Sequence, residues 1–121
     1  MLINNFFTIK SIQNTDKSIL ATIKLNASHK IFKGHFPNNP VTPGVVQIQL
    51  VKELLEHQLS KKITLKEVGR CKFLAILNPN KNPDIEVKLD YSFVDDNLKV
   101  SAHGFAQDNS QSFFKFTAKY V

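Results

Sequence analysis

The chain has 121 residues, 42% of them hydrophobic and 21% charged, with one cysteine, Cys71. This length suits one domain, 1–121, with a modest core, and the composition excludes a disordered chain. No stretch approaches the roughly 18 apolar residues of a membrane helix, while the formal net charge of +6 and pI near 9.5 favour an anionic partner.

From the N-terminus, MLINNFFTIK lacks the early basic cluster and long apolar run of a secretory leader, so a cytoplasmic protein is expected. A lone cysteine rules out an internal disulfide and fits a reducing compartment. Phe6 to Ile12 reads as a strand, and Asn14-Thr15-Asp16 supplies turn chemistry. Ser18 to Leu25 alternates Ile19, Ala21, Ile23 and Leu25 against Ser18, Leu20, Thr22 and Lys24, the period of a half-buried strand. Next comes a loop dense in turn formers: Gly34, Pro37, Asn38, Asn39, Pro40, Pro43 and Gly44. It leads into the one long helical pattern. Thr42 is placed to cap that helix and Pro43 to occupy its first position, where a missing N–H costs nothing. Val45, Ile48, Val51 and Leu55 form the apolar stripe, widened by Val46, Leu50 and Leu54. The first two turns are apolar nearly all round, which predicts a covered helix end. Gln47 and Gln49 are the polar residues in that half, and a buried amide must find partners or cost roughly 1–3 kcal/mol.

Lys61 and Lys62 mark the helix end, near the negative pole of its dipole. Ile63 to Leu77 can form a long or bent strand, with Cys71 near its middle as a small core residue. Asn78 to Pro83 is a turn, Asp84 to Val94 a strand, Asp95-Asp96-Asn97 a turn, Leu98 to Ala106 a strand, Asp108-Asn109-Ser110 a turn, and Ser112 to Val121 the last strand. Consecutive strands with short turns pair antiparallel. One helix with about six strands predicts an α+β fold, the helix packed on one face of the sheet.

The run His29-x-x-Phe32-x-Gly34-His35-Phe36-Pro37-x-x-Pro40-x-x-Pro43-Gly44-Val45 resembles the active-site signature of the β-hydroxyacyl-acyl-carrier-protein dehydratases. Arg70-Cys71-Lys72-Phe73 and Asn78-Pro79-Asn80 extend the similarity, which covers most of the chain. The resemblance implies a hotdog fold, an antiparallel sheet wrapped around one central helix. It also implies that His35 removes the C2 proton of a 3-hydroxyacyl thioester, with Phe36, Pro37, Gly44 and Val45 around the substrate. In that family a helix carboxylic acid protonates the departing hydroxyl and leaves a trans-2-enoyl thioester. The acid stands fourteen positions after the histidine; here that position holds Gln49, and the next carboxylate is Glu53, one turn further on.

Imidazole is the side chain suited to proton transfer near neutrality, and the free amides at the start of a helix can hold the charge that grows on a thioester carbonyl. Gln49 donates and accepts hydrogen bonds but cannot serve as an acid. Three readings are therefore open. His35 shuttles the proton alone while Gln49 orients the hydroxyl, at a loss of about 10²–10⁴-fold in rate. Alternatively the chain is a non-catalytic acyl-binding subunit that pairs with an active homologue supplying the acid, since the family's sites combine residues of two subunits. The third is thioester hydrolysis.

The resemblance implies an acyl carrier protein bearing the acyl-phosphopantetheine substrate as partner, and a homodimer or larger homo-oligomer. Carrier proteins are acidic, and Lys30, Lys33, Arg70 and Lys72 are the candidate docking residues, beside an equal expectation of plain solvated lysines. No cofactor is expected, because no cluster has metal-ligand spacing and no Gly-rich phosphate loop occurs. Nucleic-acid binding is the rival use of the charge, but Phe113, Phe114, Lys115 and Phe116 fit a core-lining strand better than an RNA-reading one. His29 reads as a structural loop residue, His57 as solvated, and His103 as packed or at an edge.

Overall fold

The computed structural model describes residues 1–33 and 40–121. His35, Phe36 and Pro37 therefore lie outside the described residues. Strands β1 (Phe7–Thr15) and β2 (Ser18–Leu25) come first, followed by a single 3-10 turn, Lys30–Phe32, and helix α1 (Gly44–Leu59). Strands β3 (Leu65–Phe73), β4 (Asp84–Val94), β5 (Asn97–Ala106) and β6 (Ser112–Tyr120) complete the chain. They form one six-stranded sheet in the order β1-β2-β4-β5-β6-β3. Every pairing is antiparallel.

Alternation decides which face of each strand turns inward. Ile19, Ala21, Ile23 and Leu25 of β2, Ile85, Val87 and Leu89 of β4, and Leu98, Val100 and Ala102 of β5 are all buried. Val46, Leu50, Val51, Leu54 and Leu55 of α1 join them in one core. Fully burying such a side chain contributes roughly 1.5–3 kcal/mol, so the helix is held by its packed stripe far more than by its caps. Phe113, Phe114 and Phe116 are buried, as the core-lining reading of that strand expects. One helix seated in a curved antiparallel sheet is the predicted α+β architecture.

Several local expectations are corrected. β1 continues through Thr15, which pairs with Ser18, so the turn is the two residues Asp16 and Lys17, with Lys17 at φ 62. Pro43, not Thr42, is the N-cap, and no side chain among the described residues caps the helix. Thr42 is instead buried and built into the loop. The third strand is shorter than Ile63 to Leu77, because a register shift between Gly69 and Lys72 bends it and its ladder stops at Phe73. Arg70 sits in that bulge at φ 43. Cys71 beside it is exposed rather than core, since β3 is an edge strand whose residues are all exposed. Nor is the start of α1 wrapped on all sides: Val45 is 75% exposed. The helix ends at Ser60 in the left-handed region, just before Lys61. Among the described residues, no helix is long and apolar enough to cross a membrane.

Candidate active site

The start of α1 meets the segment that follows β3. Val41, Thr42, Pro43, Gly44 and Gln47 face Phe73 to Leu77 across a groove of about 420 Å³. Two hydrogen bonds set this geometry: the Thr42 N–H donates to the Leu77 carbonyl at 3.0 Å, and Gln47 Nε2 donates back to the Thr42 carbonyl at 3.0 Å. The loop is thereby tied both to the post-β3 segment and to the helix it precedes. Gln47 is thus a structural amide, as burial predicts, although its Oε1 and the Thr42 hydroxyl have no partner among the described residues. A Cβ at Gly44 would lie 2.6 Å from Cζ of Phe73, so a larger residue there must displace this half-exposed ring. The ring of Phe73 therefore rests on the first residue of the helix. The amides of Gly44 and Val45 have no intrahelical acceptor, and the helix places roughly half a positive charge behind them.

Gln49 lies elsewhere. It is exposed, and its Nε2 donates to Glu53 Oε2 at 3.0 Å. The carboxylate has other duties: Leu2 N–H donates to both of its oxygens, at 2.9 and 3.0 Å, and Ile3 N–H to Oε1 at 2.9 Å. Burial on its own would raise the Glu53 pKa. The hydrogen bonds from Leu2, Gln49 and Ile3, with the nearby N-terminal charge, overcome that and hold it below the ordinary value. An ionised, fully bonded carboxylate is not a spare acid. It fixes Gln49 by its NH₂ end and leaves the amide oxygen as an outward acceptor.

The remaining candidates fall into two groups. Lys30 and Lys33 are exposed at the 3-10 turn, which His29 caps by accepting from Ile31 N–H at Nδ1, 3.0 Å away. His29 also meets Phe6 edge to face at 5.5 Å, the structural role expected for it. Arg70 and Lys72 share a groove on the outer sheet face with Lys88, His103 and Lys115, and neither Lys30 nor Lys33 lines it. Val45 does not line the helix-start groove, and Gln49 and Gly44 do not meet within one chain. His57 is exposed as expected, and no group of three metal-ligating side chains occurs among the described residues.

The sequence reading missed Phe73 against Gly44, the Thr42–Gln47 tie and the clamp at Glu53. Only the last left a signal, an acid flanked by Leu50, Val51, Leu54 and Leu55 on the buried stripe.

Residues 11–112 match the profile of the ApeI-like family, described as ApeI dehydratase. The 3-hydroxyacyl-[acyl-carrier-protein] dehydratase FabZ of Pediococcus pentosaceus is 31% identical over 80 residues, 60% of this chain and 54% of the relative. FabZ of Zymomonas mobilis is 24% identical over 110 residues, 84% of this chain and 70% of the relative. The chain thus spans a little over half the length of the Pediococcus relative, and 57% of a third FabZ, from Rickettsia akari. In fold it is similar to a solved structure, the dehydratase heterocomplex ApeI:P of Xenorhabdus doucetiae, at TM-score 0.73 and 20% identity, covering 94% of this chain and 96% of that one. A mutant thioesterase from Pseudomonas aeruginosa aligns at TM-score 0.67 and 10% identity over 97% of this chain and 81% of the other, a likeness of fold alone. The solved structures share the hotdog fold of this chain, and the profile match over residues 11–112 places it in the ApeI-like dehydratase family.

Proposed function

We propose that residues 1–121 form one hotdog unit of a cytoplasmic lyase. It converts 3-hydroxyacyl thioesters to trans-2-enoyl thioesters, with the acyl chain carried on the phosphopantetheine of an acyl carrier protein. The observation that carries this reading is the helix start, where Gly44 lines a groove of about 420 Å³ and the Gly44 and Val45 amides have no intrahelical acceptor. The thioester carbonyl accepts from the Gly44 and Val45 amides. His35 takes the C2 proton, and the electron pair moves toward that carbonyl as an enolate. The C3–O bond then breaks, the C2–C3 double bond forms, and the imidazolium returns its proton so that the hydroxyl leaves as water. Phe36 and Pro37 flank the chain. Gln49 accepts from the 3-hydroxyl through its outward amide oxygen and acts by orientation, which gives a slower enzyme by about 10²–10⁴-fold than one with an acid there. No metal or redox cofactor takes part.

A second subunit completes the site. The support for this is the open edge of β3, together with Val45 and Ile76 left 75% and 61% exposed beside Phe73 and Leu74. Gln49 also favours a heteromeric form, in which this chain lends its groove and motif to an acid-bearing homologue. Lys30, Lys33, Arg70 and Lys72 remain the proposed carrier contacts for either form.

Hydration of an enoyl-carrier thioester, followed by loss of the enone absorbance, tests the reading. Native turnover that vanishes in His35→Ala is the expected result, with Gln49→Glu faster than native. A dead native chain rescued by Gln49→Glu selects the partnered form. Inactivity of all three across several chain lengths overturns the substrate class.

A further inference from the structure

The outer face of the sheet, opposite α1, carries a row of three lysines and one histidine, and the lysines have no ion-pair partner among the described residues. Register sets them side by side: Lys88 of β4 pairs with His103 of β5, His103 with Lys115 of β6, and Lys115 with Lys72 of β3. Neighbouring strands lie about 4.8 Å apart, so the row runs roughly 14 Å straight across four strands. The bulge between Gly69 and Lys72 inserts an extra residue and brings Arg70 to the same groove, which measures about 410 Å³. Asp90 is the one carboxylate lining it.

Like charges directly opposite each other on a sheet are destabilising. The next lysine pair on this face, Lys99 and Lys119, is offset by Glu67, 3.1 Å from Lys119. The Lys115–Lys72 pair has no such offset, and Arg70, Lys72, Lys88 and Lys115 form no ion pair among the described residues. The same field acts on His103. Its pKa lies below the ordinary value through burial first, then through Lys115 and Lys88. Its Nε2 sits 2.8 Å from the Ser112 hydroxyl, so the ring is fixed in the row.

We propose that this face is a docking surface for an acidic helix of a partner protein, laid across β4, β5, β6 and β3 along the Lys88, His103, Lys115 and Lys72 row. Spacing selects the occupant. Carboxylates three or four residues apart on a helix recur every 4.5–6 Å or so, matching the step between strands. A second copy of this chain stacked here would oppose cation to cation. Single-stranded nucleic acid needs a series of aromatic platforms, whereas among the described residues this face offers Phe105 alone, half-buried and tilted against His103 at 4.8 Å. The surface shares Arg70 and Lys72 with the proposed carrier contacts and extends from them over Lys88, His103 and Lys115, away from Lys30 and Lys33. It is also read by binding without turnover, so its failure leaves the dehydratase reading untouched.

The test measures fluorescence anisotropy of a labelled helix-forming peptide of about twelve residues with Glu at every third or fourth position. Binding that weakens with salt and falls roughly tenfold in Lys72→Glu and in Lys115→Glu is expected, while Lys62→Glu and Lys81→Glu leave it within about twofold. Amide shifts in NMR spectra should map to Lys88, His103 and Lys115, and circular dichroism should show every variant folded. The proposal is overturned if a proline-interrupted peptide of the same composition binds equally well, or if the control reversals weaken binding as much. It is equally overturned if oligothymidylate or anionic phosphatidylglycerol vesicles bind more tightly through the same residues.

Discussion

Tyr120 illustrates how one side chain's chemistry is rewritten by its place. It closes β6 fully buried, and its hydroxyl has no partner among the described residues. Burial, assisted by the charge of Glu56, pushes its pKa up from 10.0 to about 12. A raised folded pKa means the unfolded chain loses this proton first. The phenol's share of stability is thus complete below pH 10 and is lost as pH climbs toward 12. Two units correspond to roughly 3 kcal/mol of alkaline destabilisation. Urea unfolding at stepped pH should show that fall in the native chain and a shallower one in Tyr120→Phe. At neutral pH the same variant should be no less stable than the parent, because it deletes a buried hydroxyl that has no partner among the described residues. A Tyr120→Phe chain that fades as steeply above pH 10 would assign the alkaline loss to other groups.

Among elements, the telling junction is between α1 and the N-terminal segment. Glu53 is 2% exposed and gathers the Leu2 and Ile3 amides, so the chain before β1 is pinned to the helix that positions Gln49. Glu53→Ala leaves those donors without their acceptor, at a cost of roughly 1–3 kcal/mol. Limited proteolysis should cut this variant near its N-terminus well before the parent, and its enoyl hydration should slow as Gln49 loses its anchor. Acid reaches the same junction by titration. The carboxyl pKa is lowered on folding, so its contribution is whole above the ordinary 4.5 and is lost as pH falls through the folded value. An N-terminus equally protected in parent and Glu53→Ala at neutral pH would refute the clamp.

For the whole molecule, the sheet has two unlike ends. β1 carries the salt bridge Lys10–Asp84 at 3.4 Å toward β4, whereas β3 offers an open ladder edge and exposed Val68, Phe73 and Leu74. An apolar open edge invites a second strand. Sedimentation velocity should find the chain associated, with Phe73→Glu and Ile76→Glu shifting it toward monomer and lowering enoyl hydration in step. Full activity in a strictly monomeric variant would show that one chain holds a complete site.

How much of this was legible beforehand follows from the range of each interaction. Period-two alternation in Asp84–Val94 and the 3.6-residue stripe of Gly44–Leu59 gave the elements, and a motif whose glycines and prolines constrain the backbone locally pointed to family and chemistry. The family resemblance, counted fourteen positions on from His35, is what implied that Gln49 stands where an acid is expected. What the sequence could not carry were partners brought together from far along the chain: Leu2 with Glu53, Phe73 with Gly44, Lys72 with Lys115. Cys71 was misread for the same reason, since whether a strand is central or at an edge depends on sheet order and not on its own composition. Local periodicity determined the elements and their inward faces by themselves; strand order and register decided which charges meet, which edge stays open and which carboxylate is already occupied.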